Sequence, residues 1–500
     1  MNSRTTAALL ALLLAIPAAL LARTEVPAQV AIAPTADQAT TSKLVYGLLS
    51  DSRYAYRPRP ADDAMSEEIF KRYLESLDAN KQFFTAADIQ RFEPYRLRLD
   101  DAVRSGDPTP AFAMFSVYRE RVAGRVAYAQ KLVAAGGFDF DGQERWEYDR
   151  EDAPWAQDDA ALDDLWRKSV MNDWLRLKLA GKEPDEIRKT LEKRYAQIAR
   201  SVDQLKSEDV FSIFLNAYTA SIDPHTNYLN PRTAENFNQA MSLSLEGIGA
   251  QLQRQDDVVV VREIIPGGPA ALDGTLKAGD RIVGVGQGKS GAIEDVIGWR
   301  IDDVVAKIRG AKGTQVRLEY IPAENGIDGE HRTVTLTRAR VQLSEQAAKS
   351  KLYNIPAQDG LPARKIGVIE LPTFYQDFEG RRRNGTDYTS ATRDVARLLA
   401  RFKEEKVDGV VLDLRNNGGG SLDEAVQLTG LFIDRGPVVQ VRESGGRVTV
   451  NSDNNPGVAW DGPLAVLVNR ASASASEIFA GAMQDYGRAL IIGETTFGKG

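Results

Sequence analysis

Close to the end of the chain, RASASASEIFAGAMQDYGRALIIGETTFGKG alternates three serines, Ser472, Ser474 and Ser476, with alanines and later frames one lysine, Lys499, between glycines. A serine hydroxyl is a weak nucleophile near neutral pH and attacks a carbonyl only when a base within hydrogen-bond reach takes its proton. Histidine is the usual base, but the chain has only His225 and His331, both in earlier regions. A lysine can serve as a neutral amine, which requires burial that lowers its pKa by several units from about 10.4. The stretch therefore suits a serine working with Lys499; a serine not used as nucleophile would serve a turn or a helix cap.

Other chemistries are narrowed by composition. There is no cysteine, so no thiolate nucleophile, disulfide or cysteine-bound zinc, and the two histidines form no metal-ligand spacing. The glycines of DLRNNGGGSLDEAV lack the lysine and spacing of a nucleotide loop. No cofactor is called for. A net charge of −7 argues against a nucleic-acid partner, which needs a concentrated basic surface; the run Arg381, Arg382 and Arg383 reads as a solvated loop. With 43% hydrophobic and 27% charged residues, the chain is globular rather than disordered, and its 500 residues allow two to four domains.

The elements that must position the serine and lysine alternate. PLAVLVN is a buried strand, the serines leave its end, and Ile478, Phe479, Ala482 and Met483 form one apolar face of a helix closed by Gly487. A serine at such a strand-to-helix turn sits where helix N–H groups can stabilise an oxyanion. ALIIG is a further strand, and Lys499 lies in the loop leaving it. Upstream, KIGVIEL and DGVVLDLR are strands, with helices expected over residues 392–403 and 422–433, the second opening on Ser421 and Glu424 as a capping box. This is an α/β layer of crossover units, with loops at strand ends available for a site.

Between residues 241 and 339 the chain turns to short β-rich runs with glycine-containing turns and one short helix, IDDVVAKIRG. LEGIGAQL sets glycines before a strand, where successive N–H groups can face an anion and an open strand edge can pair with an extended peptide. Together with PGGPAALDGTLKAGDRIVGVG it resembles the PDZ fold. On that resemblance Gly247, Ile248, Gly249 and Ala250 form a carboxylate-binding loop and IDDVVAKIRG flanks the groove. Residues 41–235 read as helical: SEEIFKRYLESLD places Ile69, Phe70, Tyr73, Leu74 and Leu77 at helical spacing behind a start at Ser66, and Trp146, Trp155, Trp166 and Trp174 suit packing. The first residues, MNSRTTAALLALLLAIPAALLARTEVPAQVA, carry a basic lead and a short apolar run broken at Pro17, the pattern of a secretory signal expected over residues 1–28. The mature chain is expected to have no transmembrane span and to reside in the periplasm, free or at the membrane surface.

SASASEIFAGAMQDYGRALIIGETTFGKG, with IDPHTNYL ahead of the PDZ-like region, is similar to the signature of the carboxy-terminal processing, or tail-specific, proteases, a family of Ser/Lys peptidases carrying a PDZ domain. The likeness runs over nearly the whole mature chain. It implies a multidomain α+β protein: a helical N-terminal domain (36–235), a PDZ domain (236–340) and an α/β, crotonase-like layered protease core (341–500). It also implies Ser474 as nucleophile and Lys499, 25 residues later, as general base (499 − 474 = 25). Ala475 and Gly420 would be the oxyanion donors, and Asp485 a supporting acid, pairing with Arg488 being its other role. Substrates would be proteins with apolar C-termini, in some members delivered by a lipoprotein adaptor. Family members continue past this lysine with further strands and a glutamine-bearing segment, so the core is expected to be cut short at Gly500. The reading from another class is a PDZ adaptor that binds chain ends without cutting them.

Overall fold

The computed structural model describes residues 32–326, 329–358, 360–385 and 387–499, so the expected signal segment lies outside the described residues. Among the described residues no helix is long and apolar enough to cross a membrane. They form two compact units, one of residues 73–95 and 106–211 with the chain up to Thr40, the other of residues 41–72, 96–105 and everything from Ser212.

Nine helices are described before the first strand: α1 (Ala36–Ser50), α2 (Asp63–Asp78), α3 (Ala86–Phe92), α4 (Leu99–Ser105), α5 (Thr109–Ala135), α6 (Asp159–Leu179), α7 (Pro184–Asp203), α8 (Ser207–Ile222) and α9 (Pro231–Ser242). In the first unit α5 packs on α6 and α7, burying Trp166 and Trp174 of α6 against a stripe of Ile187, Leu191 and Tyr195 on α7. Those α7 residues recur every fourth position, the spacing that gives a helix one apolar face. The Trp166 indole donates to the Gln82 carbonyl at 2.7 Å, so its polar edge is partnered inside the packing. Tyr73, Leu74, Leu77, Ile69 and Phe70 are all buried as their spacing requires.

One expectation for this region is corrected. Ser66 does not start α2; Asp62 does, its carboxylate accepting the Met65 N–H at 2.9 Å. Ser66 is fully buried one turn in, donating to the Arg96 carbonyl and accepting the Leu99 N–H, both at 2.7 Å, because a buried hydroxyl must be hydrogen-bonded somewhere. α4, α9 and most of α8 belong to the second unit, where the Arg59 guanidinium ties the loop before α2 to the Ser221 carbonyl of α8.

The second unit contains the β-rich domain: β1 (Ser244–Gly247), β2 (Ala250–Gln255), β3 (Val258–Ile264), α10 (Pro269–Asp273), β4 (Arg281–Gln287), β5 (Ile293–Asp295), α11 (Ile301–Ile308), β6 (Gln315–Ile321), β7 (Arg332–Thr337) and β8 (Ala339–Gln342). The sheet runs β2-β3-β4-β6-β7, with β5 on β4, leaving β2 at an edge. Val259, Val261, Ile282, Val285, Val304, Ile308 and Leu318 fill its core. β1 and β8, the entering and leaving strands, pair with each other, Ser244 opposite Gln342 and Gly247 opposite Ala339, as a ribbon at the domain's root.

The remainder comprises β9 (Lys349–Ile355), β10 (Arg364–Glu370), α12 (Phe378–Asn384), α13 (Ala391–Glu404), β11 (Gly409–Asp413), α14 (Leu422–Thr429), β12 (Gly436–Arg442), β13 (Val448–Asp453), β14 (Leu464–Val468), α15 (Ala475–Asp485) and β15 (Leu490–Gly493). Its sheet has the order β15-β14-β11-β10-β9, parallel except for β9. The crossover helices cover a core of Ile369, Val395, Leu399, Phe402, Leu412, Leu428, Val466, Phe479 and Met483. Each expected strand is present. α14, however, stops at Thr429, short of residue 433, because the chain tightens: the Phe432 N–H bonds the Thr429 carbonyl, three residues back, and seats Phe432 edge-on to Phe479 at 5.7 Å. The arginine run is not a loop either. It lies in α12, capped by Asp377, with Arg381 paired to Asp423 and Arg383 to Glu379.

Candidate active site

The serine turn begins where β14 ends. Ser472 is fully buried, its hydroxyl donating to the Leu414 carbonyl at 2.8 Å and accepting the Asn469 N–H at 3.0 Å. Ser476 is equally buried and donates to the Asn417 carbonyl at 2.9 Å. Both hydroxyls hold the turn to the loop after β11. Ser474, between them, is half exposed and heads α15 with φ 56° and ψ −115°. A non-glycine residue in that region is strained and persists only where its surroundings impose it, as at the strand-to-helix elbow of many nucleophiles. Here the Ser474 N–H donates to the Glu477 carboxylate at 2.8 Å, and the preceding Ala473 N–H to the Asn417 carbonyl at 3.0 Å.

The glycines after β11 lie against this turn. A Cβ on Gly419 would stand 2.8 Å from the Ser474 Cβ and 2.9 Å from the Ala473 carbonyl oxygen, and one on Gly420 would stand 2.4 Å from the Phe374 carbonyl oxygen. Both have positive φ, 103° and 144°, so glycine is required twice over. The loop is pinned by Gly419, whose carbonyl accepts the Phe374 N–H and the Thr373 hydroxyl and whose N–H donates to the Asn417 side chain. The Gly420 and Ala475 N–H groups have no acceptor among the described residues, leaving two donors beside the Ser474 turn. For Ala475 this follows from helix geometry, since the first N–H of a helix has no intrahelical carbonyl.

Lys499 returns to the same turn through its backbone. The Glu477 carboxylate accepts the Lys499 N–H at 2.8 Å and the Gly498 N–H at 2.6 Å, in addition to that of Ser474, and the Phe497 N–H bonds the Ser472 carbonyl at 3.0 Å. Burial pushes the Glu477 carboxyl up, but the Gly498, Lys499 and Ser474 N–H groups with the Thr496 hydroxyl outweigh it and hold it below its ordinary value. An ionised carboxylate is thus the clasp between two chain segments that the sequence separates by a helix and a strand. Lys499 itself is half-buried.

Other expected residues fall elsewhere. Asp485 is exposed at the far end of α15, eleven residues and so about 16 Å along the helix from Ser474, too far to support the serine directly. It does not pair with Arg488, whose guanidinium donates instead to the Phe432, Trp460 and Gly462 carbonyls. His225 bonds Asp223, and His331 faces Glu319 in the β-rich domain. The capping box at α14 forms by half: Ser421 accepts the Glu424 N–H at 3.4 Å, but the Ser421 N–H goes to the Phe374 carbonyl. The Glu424 side chain is fully buried, where it accepts from Thr392 N–H, Ser390 and Gln376, and burial pushes its carboxyl up. Gln376 in turn accepts the Ser421 hydroxyl at 2.9 Å, so this network braces the glycine loop from behind. Glu477, Asn417 and Gly419 are the site residues that sequence reasoning missed. Glu477 stands three residues after Ser474, a capping-box spacing that would have flagged it once Ser474 was chosen over its neighbours.

In the β-rich domain a groove of about 310 Å³ lies between the open edge of β2 and α11, lined by Gly247, Ile248, Gly249, Ala250, Leu252, Val305 and Ile308, with Leu343 and Gln346 from beyond β8. The Ile248 and Gly249 carbonyls accept from Ala270 and Ile265, whereas their N–H groups have no acceptor among the described residues. The arrangement is a nest of free donors at the head of an apolar groove beside an unpaired strand edge.

Fold and motifs together define a peptidase core joined to a PDZ domain. Residues 365–500 match the family model for peptidase family S41, residues 239–321 that for the PDZ domain, and residues 48–232 that for the tail-specific protease N-terminal domain. Through these three regions the chain is similar to the tail-specific, or carboxy-terminal processing, proteases. It is 44% identical to the tail-specific protease of Haemophilus influenzae over 89% of its own length and 61% of that protein's. A CtpA-like serine protease of Staphylococcus aureus is 32% identical over 56% of this chain and 49% of that one. The chain therefore spans about half to three fifths of the length of these relatives. Among solved structures, the PDZ domain of a carboxy-terminal protease from Vibrio cholerae, in complex with peptide, is 50% identical, covering 20% of this chain and all of that one with a TM-score of 0.19.

Proposed function

We propose that this protein is a periplasmic serine endopeptidase that captures apolar protein C-termini in the β2–α11 groove and cleaves the polypeptide through an acyl-enzyme. The observation carrying the proposal is the Glu477 clasp, which holds the Ser474 and Lys499 backbones to one carboxylate, each at 2.8 Å.

In the reaction, the Ser474 hydroxyl adds to the scissile carbonyl while the Lys499 amine takes its proton; the carbonyl oxygen gains the negative charge and receives the Ala475 and Gly420 N–H groups. Collapse breaks the C–N bond, and the lysine ammonium returns the proton to the leaving amine. Water then gives a proton to Lys499 and its oxygen attacks the ester; the C–O bond breaks and the proton restores the serine. A polypeptide laid across the turn completes the exclusion of water that a neutral amine needs around half-buried Lys499. Export rests on the signal pattern at the N-terminus, and delivery of substrates by a lipoprotein adaptor is compatible with the same reading.

The test is cleavage of a loosely folded reporter with an apolar C-terminal tail, against one with a charged tail, by the full chain and by Ser474→Ala and Lys499→Ala. Tail-dependent cleavage lost in both variants is expected. Tail binding without cleavage by the unaltered chain would overturn the enzymatic reading in favour of an adaptor.

A further inference from the structure

Three consecutive glycines, Gly418, Gly419 and Gly420, follow β11. Without a Cβ they place little restraint on their own peptide planes, so the direction of the Gly420 N–H is set from outside the run. In a trans peptide the N–H points opposite to the C=O. The Gly420 N–H is therefore aimed by the groups that hold the Gly419 carbonyl, the Thr373 hydroxyl at 2.7 Å and the Phe374 N–H at 2.9 Å. The preceding peptide plane is held by Asn417, whose side-chain oxygen accepts the Gly419 N–H at 2.9 Å.

Asn417 is fully buried, and each of its polar groups is engaged. Its side-chain amide donates to the Leu371 carbonyl, just past β10, at 2.8 Å. Its N–H bonds the Leu414 carbonyl at 3.1 Å, the same carbonyl that accepts the Ser472 hydroxyl. Its carbonyl accepts the Ala473 N–H at 3.0 Å and the Ser476 hydroxyl at 2.9 Å, from residues on either side of Ser474 and Ala475. One residue thus meets the end of β10, the glycine loop and the serine turn. The neighbouring Asn416 does not: its side chain is exposed and accepts the Asn469 amide at 2.9 Å.

We propose that Asn417 is the positioning residue of the oxyanion hole, its side chain fixing the glycine loop that presents the Gly420 N–H and its carbonyl fixing the turn that presents the Ala475 N–H. The assignment rests on Ser474 being the nucleophile and on those two N–H groups being the donors, as proposed above. Asn417 acts through other residues and touches no reacting atom. Its loss would leave the Gly419 N–H and the Leu371 carbonyl unpaired in the core and free the glycines to turn their peptide planes. The effect falls on the step in which the carbonyl oxygen becomes negative, because the hole is complementary to that oxygen and the β2–α11 groove shares none of these bonds.

The test measures, per folded molecule of the full chain, kcat and KM for a tailed peptide and the affinity of a peptide aldehyde, whose adduct with Ser474 carries the tetrahedral oxygen. Asn417→Ala should lower kcat and aldehyde affinity by the same factor, about ten- to a hundredfold, somewhat less than deletion of a whole oxyanion donor, with KM within about twofold. Asn417→Asp keeps the volume and an acceptor for the Gly419 N–H, and should recover part of both losses. Thr429→Val removes an equally buried hydroxyl, bonded to the Ala425 carbonyl at 2.8 Å within α14, and should lower the urea midpoint while leaving kcat and aldehyde affinity within about twofold. The proposal is overturned if kcat and aldehyde affinity do not fall together in Asn417→Ala or, should that variant not fold, in Asn417→Asp. It is also overturned if Thr429→Val reproduces the loss, which would assign Asn417 to stability alone. Failure of the unaltered chain to bind the aldehyde, or cleavage retained in Ser474→Ala, overturns the Ser474 reading itself and the role of Asn417 with it.

Discussion

Replacing Glu477 by glutamine should disable cleavage while leaving tail capture intact. The carboxylate accepts three backbone N–H groups, those of Ser474, Gly498 and Lys499. An amide oxygen in place of Oε2 keeps the Ser474 and Lys499 bonds as neutral ones, and the amide nitrogen then meets the Gly498 N–H with a donor. Two bonds drop from the charge-assisted range of about 1.5–3 kcal/mol towards the neutral range of about 0.5–1.5 kcal/mol, and one is lost. Because Gly498 is exposed, its bond counts at the low end, so the clasp loses roughly 2–4 kcal/mol. The closed loop has some margin to absorb this, and kcat should fall by roughly ten- to a hundredfold, more for Glu477→Ala, at about 1.4 kcal/mol per tenfold. KM should not move, since the groove shares none of these bonds. Steady-state cleavage of a tailed peptide, tail binding by anisotropy and amide hydrogen exchange at Gly498 and Lys499 read the three effects. Wild-type kcat in Glu477→Gln, or loss of tail binding in step with kcat, would show that the clasp does not position Lys499.

The same clasp fixes an acid limit. The Glu477 carboxyl is held below its ordinary value, so its contribution is fully present above the unfolded glutamate pKa of about 4.3 and is lost as pH falls through the lowered folded value. Closure of the segment at Gly498 and Lys499, rather than cleavage, should therefore survive the usual glutamate range and fail below it, and that loss should vanish in Glu477→Gln, as the pH dependence of urea stability would record. The three serines should separate by what they cost. Ser474→Ala should abolish cleavage with unchanged urea midpoint, whereas Ser472→Ala and Ser476→Ala each delete a buried hydrogen bond and should lose about 1–2 kcal/mol of stability with activity partly kept. Gly419→Ala forces a Cβ to 2.8 Å from that of Ser474 at a φ of 103°, and should cut kcat by more than about a hundredfold with tail affinity unchanged in the binding assay.

The strands and helices around the site were legible because each carries its own period: PLAVLVN and DGVVLDLR as buried parallel strands, the face of α15 at helical spacing. Contacts set by long-range packing were less so. Ser66 was expected at a helix start because serine favours caps, but a buried hydroxyl answered to Arg96 and Leu99, some thirty residues away. Glu424 carried the capping-box pattern, yet its carboxylate was drawn to Ser390 and Thr392 by packing of α13 on α14. Asp485 stood close to Ser474 in sequence, but α15 carries it away along its axis. Glu477 escaped notice for the opposite reason: the residues it joins are brought together only when the chain returns after β15.

The most direct test of the central claim is to quench the reaction of the full chain with a tailed peptide in acid and map the protein by mass spectrometry. The expected product is an ester of the substrate's acyl fragment on the peptide bearing Ser474, absent in Ser474→Ala and not formed in Lys499→Ala. Cleavage with the adduct on another serine, or cleavage undiminished in Lys499→Ala, would contradict it.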